Sequence, residues 1–101
     1  MIVVIGRVSC EPEHRAALVA HLERMQEASR QEDGCIRYGF FAAVEDPLSF
    51  VAVEEWKDRP ALDRHFEQPH LKEFAAGLGD LVSGAPEVAI HEVAGTSDFP
   101  R

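Results

Sequence analysis

The chain has 101 residues, 46% of them hydrophobic, and its 18 acidic against 10 basic side chains give a formal charge of −8. That length suits one small domain with an adequate core, and too few Lys and Arg are present for the clustered phosphate contacts nucleic acid requires. No apolar run approaches the ~20 residues of a membrane span, and no basic stretch with a long apolar core opens the chain; a soluble, unexported, cytoplasmic protein is expected, with no membrane partner.

Ile2 to Ser9 is apolar and β-branched and predicts a strand buried on both faces. Cys10-Glu11-Pro12-Glu13 then supplies a helix start, with Pro in the first turn and acids near the positive end of the helix dipole. From Glu13 to about Gln31, Leu18, Leu22 and Met25 recur at helical spacing, and His14 and His21 among charged neighbours read as a solvated face. Cys10 and Cys35 lack a paired spacing and are expected to be reduced thiols. The five histidines show no H-E-x-x-H or comparable spacing, so no metal is expected.

Gly34 breaks the helix, and Cys35 to Val44 predicts a second strand with Ile36, Tyr38, Phe40 and Ala42 on one face and Arg37, Gly39, Phe41 and Ala43 on the other. Asp46-Pro47 marks a turn. The third strand, Phe50 to Trp56, places Phe50, Ala52, Glu54 and Trp56 on one side. Both sheet faces are substantially apolar, so a helix layer on one leaves the other needing a partner subunit.

Asp58 is positioned as a helix N-cap with Pro60 just inside. Leu62, His65 and Phe66 share one face of that helix. After Gln68-Pro69 a further helix carries Leu71, Phe74, Leu78 and Leu81 on one stripe, with His70 in its first turn. Gly84-Ala85-Pro86 ends it, Val88 to Val93 is a last strand, and 96–101 a loose tail behind a single domain spanning 1–95. The order β-α-β-β-α-(α)-β is the α+β, ferredoxin-like pattern: a four-stranded antiparallel sheet with helices on one face.

Three stretches carry a family resemblance: Glu32-Asp33-Gly34-Cys35-Ile36-Arg37-Tyr38, Val53-Glu54-Glu55-Trp56, and the run from Ala61 to Phe74 that contains His65-Phe66-Glu67-Gln68-Pro69-His70. Together they resemble the antibiotic biosynthesis monooxygenase family, which includes quinol monooxygenases and small-molecule isomerases. The resemblance implies a homodimer, a dimeric α+β barrel in which two sheets face each other, and a pocket between sheet and helices in each subunit. It carries over Tyr38, Glu54, Trp56, His65 and His70 as pocket positions, with Phe40 and Phe74 as apolar lining.

Oxygenating members of that family use neither metal nor flavin, so no cofactor is implied. A deprotonated phenol or quinol passes an electron to O2 directly, and the protein supplies a base and a water-poor pocket. His65 and His70 are the candidate bases, Glu54 a carboxylate that orients a histidine or a substrate hydroxyl, and Tyr38 and Trp56 groups that stack or hydrogen-bond. On spacing alone a histidine on an apolar helix face is commonly a core residue, and Trp56 and Tyr38 read equally as packing. Glu54 is the most informative position, because a carboxylate among Phe50, Ala52 and Trp56 must find a partner or a wet cavity. The chain contains no asparagine, which removes the residue that haem-degrading relatives and some anthrone oxygenases use. The implied function is a cofactor-independent monooxygenase acting with O2 on a small phenolic or quinol-type aromatic. An isomerase on the same scaffold and a non-catalytic dimeric ligand-binding or stress protein are the alternatives.

Overall fold

In the computed structural model, residues 1–100 are described, and they form β1 (Ile2–Ser9), a 3-10 turn (Pro12–His14), α1 (Arg15–Arg30), β2 (Cys35–Ala42), β3 (Ser49–Trp56), α2 (Arg59–Phe66), α3 (Pro69–Leu78) and β4 (Glu87–Glu92). The strands make one antiparallel sheet in the order β2-β3-β1-β4. The ferredoxin-like order expected from the sequence is the one observed. The last residue of the 96–101 tail lies outside the described residues; 96–100 carry no regular structure and are exposed. No helix is long and apolar enough to cross a membrane among the described residues.

Alternation decides which side chains meet the helices. Ile2 and Val4 of β1 and Phe50, Ala52, Glu54 and Trp56 of β3 are buried. The other row of β1 is not buried within one chain: Val3 and Ile5 are half-buried and Arg7 is exposed, because only one face of the sheet is covered by helices. Leu18, Leu22, Met25 and Ser29 form the buried stripe of α1. Leu18 and Leu22 pack with Cys10 and Phe50, while Met25 joins Ile2, Val4, Tyr38, Trp56, Ala61 and Leu62.

Two side chains of α1 also close the outer edge of β2. Gln26 Oε1 accepts from the Phe40 amide at 3.1 Å, and Arg30 Nε donates to the Tyr38 carbonyl at 2.8 Å. Edge groups that would otherwise invite another strand are thereby satisfied.

The β2 pattern departs from simple alternation. A register shift between Cys35 and Arg37 marks a bulge, so Cys35 rather than Ile36 joins Tyr38 and Phe40 on the helix side. Ile36 turns outward and is 50% exposed. The strand also stops at Ala42, leaving Val44 fully exposed in the turn. The first helix begins two residues later than predicted because Pro12–His14 adopt the tighter turn. The third helix ends at Leu78 rather than near Gly84, and β4 is shifted by one residue to Glu87–Glu92. Since α3 stops short, β4 has no helix over it, and Val88 on its helix-side row is 64% exposed.

Candidate functional site

β3 ends by presenting Glu54 and Trp56 on the same face. Trp56 Nε1 donates to Glu54 Oε1 at 3.0 Å, which satisfies the indole of a fully buried Trp and one lone pair of a carboxyl that is 8% exposed. α2 crosses above them. Asp58 caps it by accepting from the Ala61 amide at 2.9 Å, fixing the helix phase that sends Ala61, Leu62 and His65 inward. The His65 ring lies 4.5 Å from the Trp56 ring and 5.7 Å from that of Tyr38, between centroids.

Burial pushes the Glu54 carboxyl up to about 7, helped by the nearby Glu32 charge and opposed by hydrogen bonds from Trp56 and Tyr38. Burial holds the His65 imidazole below its ordinary value, although Glu32 pulls the other way. The same burial raises the Tyr38 phenol, with the Glu54 charge adding to it, so Tyr38 stays a neutral donor.

Glu32, beyond the end of α1, organises the rest. Its Oε2 lies 2.7 Å from His65 Nδ1 and 2.6 Å from His70 Nε2. An ionised carboxylate only accepts, so both histidines donate to it through those nitrogens. His65 Nε2 is then left as a free lone pair, 3.9 Å from Glu54 Oε1. Two carboxyl groups thus flank one neutral imidazole. At 3.9 Å the two groups are not hydrogen-bonded, so a proton passes between Glu54 and His65 only on closer approach, while Glu32 fixes the ring's tautomer.

A cavity of about 90 Å³ lies between the sheet and α3, with Gly6, Tyr38, Phe40, Ala52, Glu54 and Phe74 in its lining and a mouth near Pro86 and Val88. Gly6 and Ala52 leave the floor low, since a Cβ on Gly6 would come to 3.5 Å from that of Ala52. Four of the seven residues singled out from the sequence, Tyr38, Phe40, Glu54 and Phe74, meet this cavity. Trp56 and His65 do not line it; they stand behind Glu54 in solid packing. His70 instead opens onto surface grooves on either side of it, one of about 280 Å³ shared with His21 and Phe74 and another of about 380 Å³ shared with Glu32.

Two residues emerge here that the sequence reading passed over. Glu32 sits within the quoted Glu32-Asp33-Gly34 stretch, but nothing in that run tells that its carboxylate meets two histidines more than thirty positions away. His21 is not on a solvated face: its ring stacks on Phe74 at 4.7 Å and its Nε2 lies 2.8 Å from the Phe74 carbonyl, tying α1 to α3. The seven-residue spacing from His14 concealed this, because only the packing of α3 distinguishes the two. The fold also gathers possible metal ligands that no local spacing announced, since Glu32, His65 and His70 offer atoms all within 4.8 Å of one another.

The family model described as antibiotic biosynthesis monooxygenase matches residues 1–77. The Synechocystis protein sll1783 is 36% identical over 94% of this chain, which spans 65% of that protein, just under two thirds of its length. YcnE of Bacillus subtilis, named as a candidate monooxygenase, is 31% identical over 92% of this chain and 98% of its own. YgiN of Escherichia coli K12, which bears a quinol monooxygenase name, is 25% identical over 81% of this chain and 89% of its own. A Deinococcus radiodurans structure described as an antibiotic biosynthesis monooxygenase superimposes with a TM-score of 0.93 at 27% identity, covering 99% of both chains.

Proposed function

The chain belongs to the antibiotic biosynthesis monooxygenase family, and on that premise we propose that it oxidises a small phenolic or quinol-type ring with O2, using Glu54 and His65 to remove the substrate proton. The observation that carries this reading is the buried Glu54 carboxyl facing a largely apolar cavity with an imidazole lone pair behind it. A carboxyl poised near neutrality accepts a phenolic proton in a site that contains little water. The resulting anion gives one electron to O2, the substrate radical and superoxide combine to a peroxide, and loss of water leaves the quinone. Each turnover consumes one O2, places one oxygen atom in the product and releases the other as water.

Size sets the pose. An apolar cavity that takes up benzene measures about 150 Å³, and this one measures about 90 Å³. The hydroxyl-bearing edge of the ring therefore enters toward Glu54 while the remainder lies at the mouth by Pro86 and Val88. Tyr38, Phe40 and Phe74 supply the walls, His65 and Glu32 position the base, and His70 holds Glu32 from the solvent side.

The working form in this reading is a homodimer joined through the uncovered sheet face, and its place is the cytoplasm. Support for the dimer comes from Phe41 at 59% exposure and Ile36 at 50%, beside a concavity of about 600 Å³ that also involves Val53 and Glu55. Two free thiols, Cys10 and Cys35, suit a reducing compartment.

Oxygen uptake with a panel of hydroquinones and naphthols tests the reading. Consumption that falls at least about a hundredfold in Glu54→Gln is expected. Uptake by none of the panel, or an equal rate in the variant, would remove it. One feature favours the non-catalytic ligand-binding reading instead: His65 is 1% exposed and hydrogen-bonded within the protein. Ligand affinity without oxygen consumption would support that reading.

A further inference from the structure

Glu32, His65 and His70 come from three separate parts of the chain, and the fold brings one oxygen and two imidazole nitrogens to a common point. A five-residue spacing cannot place two histidines on one face of a continuous helix. The break at Gln68-Pro69 between α2 and α3 is what turns both rings toward the same carboxylate. Glu32 makes its ion pairs with these two histidines, and no Lys or Arg is paired with it among the described residues.

Two imidazoles and a carboxylate make a donor set suited to zinc-type divalent cations. Behind His65, the Glu54 carboxyl lies 3.9 Å from Nε2, in the place where metal-binding histidines usually find a carboxylate partner. Coordination through Nδ1 would shift the ring proton to Nε2, and Glu54 is placed to accept it. Toward solvent, the groove lined by Gln31, Arg64, Gln68 and His70 offers an entry path and room for a water as fourth ligand. We propose that Glu32, His65 and His70 form a binding site for a single zinc-type divalent cation, with Glu54 as the supporting carboxylate behind His65. The Oε2 atom now lies within hydrogen-bond distance of both nitrogens; on binding it draws back, and the ion takes the place between the three donors.

Cation binding here is independent of the oxygenase reading, and its test needs no turnover. Untagged, chelator-treated protein is titrated with Zn2+ by calorimetry and with Co2+ by visible absorption. One ion per chain is expected, with Co2+ ligand-field bands. His70→Ala and Glu32→Gln should each weaken binding by at least about tenfold, while His14→Ala and His91→Ala leave it unchanged. Because the buried His65→Ala chain can fail to fold, His65 is followed in the parent by the ring-nitrogen NMR signals. Zn2+ should shift those of His65 and His70 and spare those of His14, His21 and His91. The proposal is overturned by no binding to the folded protein, by binding that survives both His70→Ala and Glu32→Gln, or by shifts confined to the other three rings.

Discussion

His65 Nδ1 lies 2.7 Å from Glu32 Oε2, joining residues 33 positions apart on the side of α2 that faces the end of α1. Since His70 Nε2 meets the same oxygen at 2.6 Å, Glu32 fastens the start of α3 as well. Hydrogen bonds to a charged group contribute about 1.5–3 kcal/mol each. Glu32→Ala is expected to cost about 2–4 kcal/mol, read from urea unfolding, with Glu32→Gln losing less. A loss below about 1 kcal/mol would mean that α2 and α3 are held by apolar packing alone.

Glu54 makes stability depend on pH in a defined direction. Its carboxyl is pushed up from 4.5 to about 7, chiefly by burial. A raised value means that the folded chain holds this proton more tightly than the unfolded chain does. The contribution is therefore complete below pH 4.5 and is lost as pH rises through about 7. Glu54→Gln keeps an acceptor for Trp56 and never ionises. Unfolding of the two proteins in chelator-containing buffer should show the variant gaining on the parent between those limits, by up to about 3 kcal/mol. Parallel pH curves would mean that Glu54 titrates normally.

Gly34 does not itself end α1, which stops at Arg30 with Gln31 as its cap; it closes the turn that leads into β2. Its φ is +87°, and a Cβ there would lie 2.6 Å from the Ala61 Cβ, so α2 rests directly on this turn. Its carbonyl also accepts from the Lys57 amide at 2.9 Å. Gly34→Ala combines left-handed strain with a steric clash and is expected to cost about 2–4 kcal/mol. Thermal unfolding of the variant checks this, and an unchanged midpoint would refute the close approach.

The element order and the inward positions of Glu54, Trp56 and His65 were legible because alternation and helical spacing are local, and Asp58 and Pro60 announce their helix. The Ile36 error shows where locality fails. A bulge inserts a residue without a sequence signal of its own, and every assignment N-terminal to it changes face. Glu32 and His21 were missed for a related reason, since each acquires its role from a partner more than thirty residues away. The stop of α3 at Leu78, which uncovers β4, does have a local signal: Gly77 weakens the last turn and Gly79 takes the C-cap, although Gly84-Ala85-Pro86 further on is the stronger break in the sequence.

Association through the open sheet face can be tested at Phe41. This side chain is 59% exposed and lies opposite Val51 in the β2–β3 register, away from Glu54 and the cavity. Phe41→Glu would bury a charge at a dimer interface without disturbing the subunit core. Sedimentation should show the parent as a dimer and the variant shifted at least about tenfold toward monomer, with its circular dichroism retained. A parent that sediments as a monomer would leave the face unpartnered.

The cavity can be closed at Gly6 without touching a titratable group. Gly6 lies on β1 between Ala52 of β3 and Val88 of β4, and the nearest atoms to an added Cβ are at ordinary contact distance. Its φ is not in the left-handed region, and a β-branched residue suits a central strand. Gly6→Ala is therefore expected to fold with stability within about 1 kcal/mol of the parent. Gly6→Val places two further methyl groups in the space of about 90 Å³ before Glu54, and oxygen uptake should fall at least about tenfold while Tm stays within a few degrees. Measured together, the two variants separate space from folding. Full turnover by a well-folded Gly6→Val protein would show that the aromatic ring approaches Glu54 by another route.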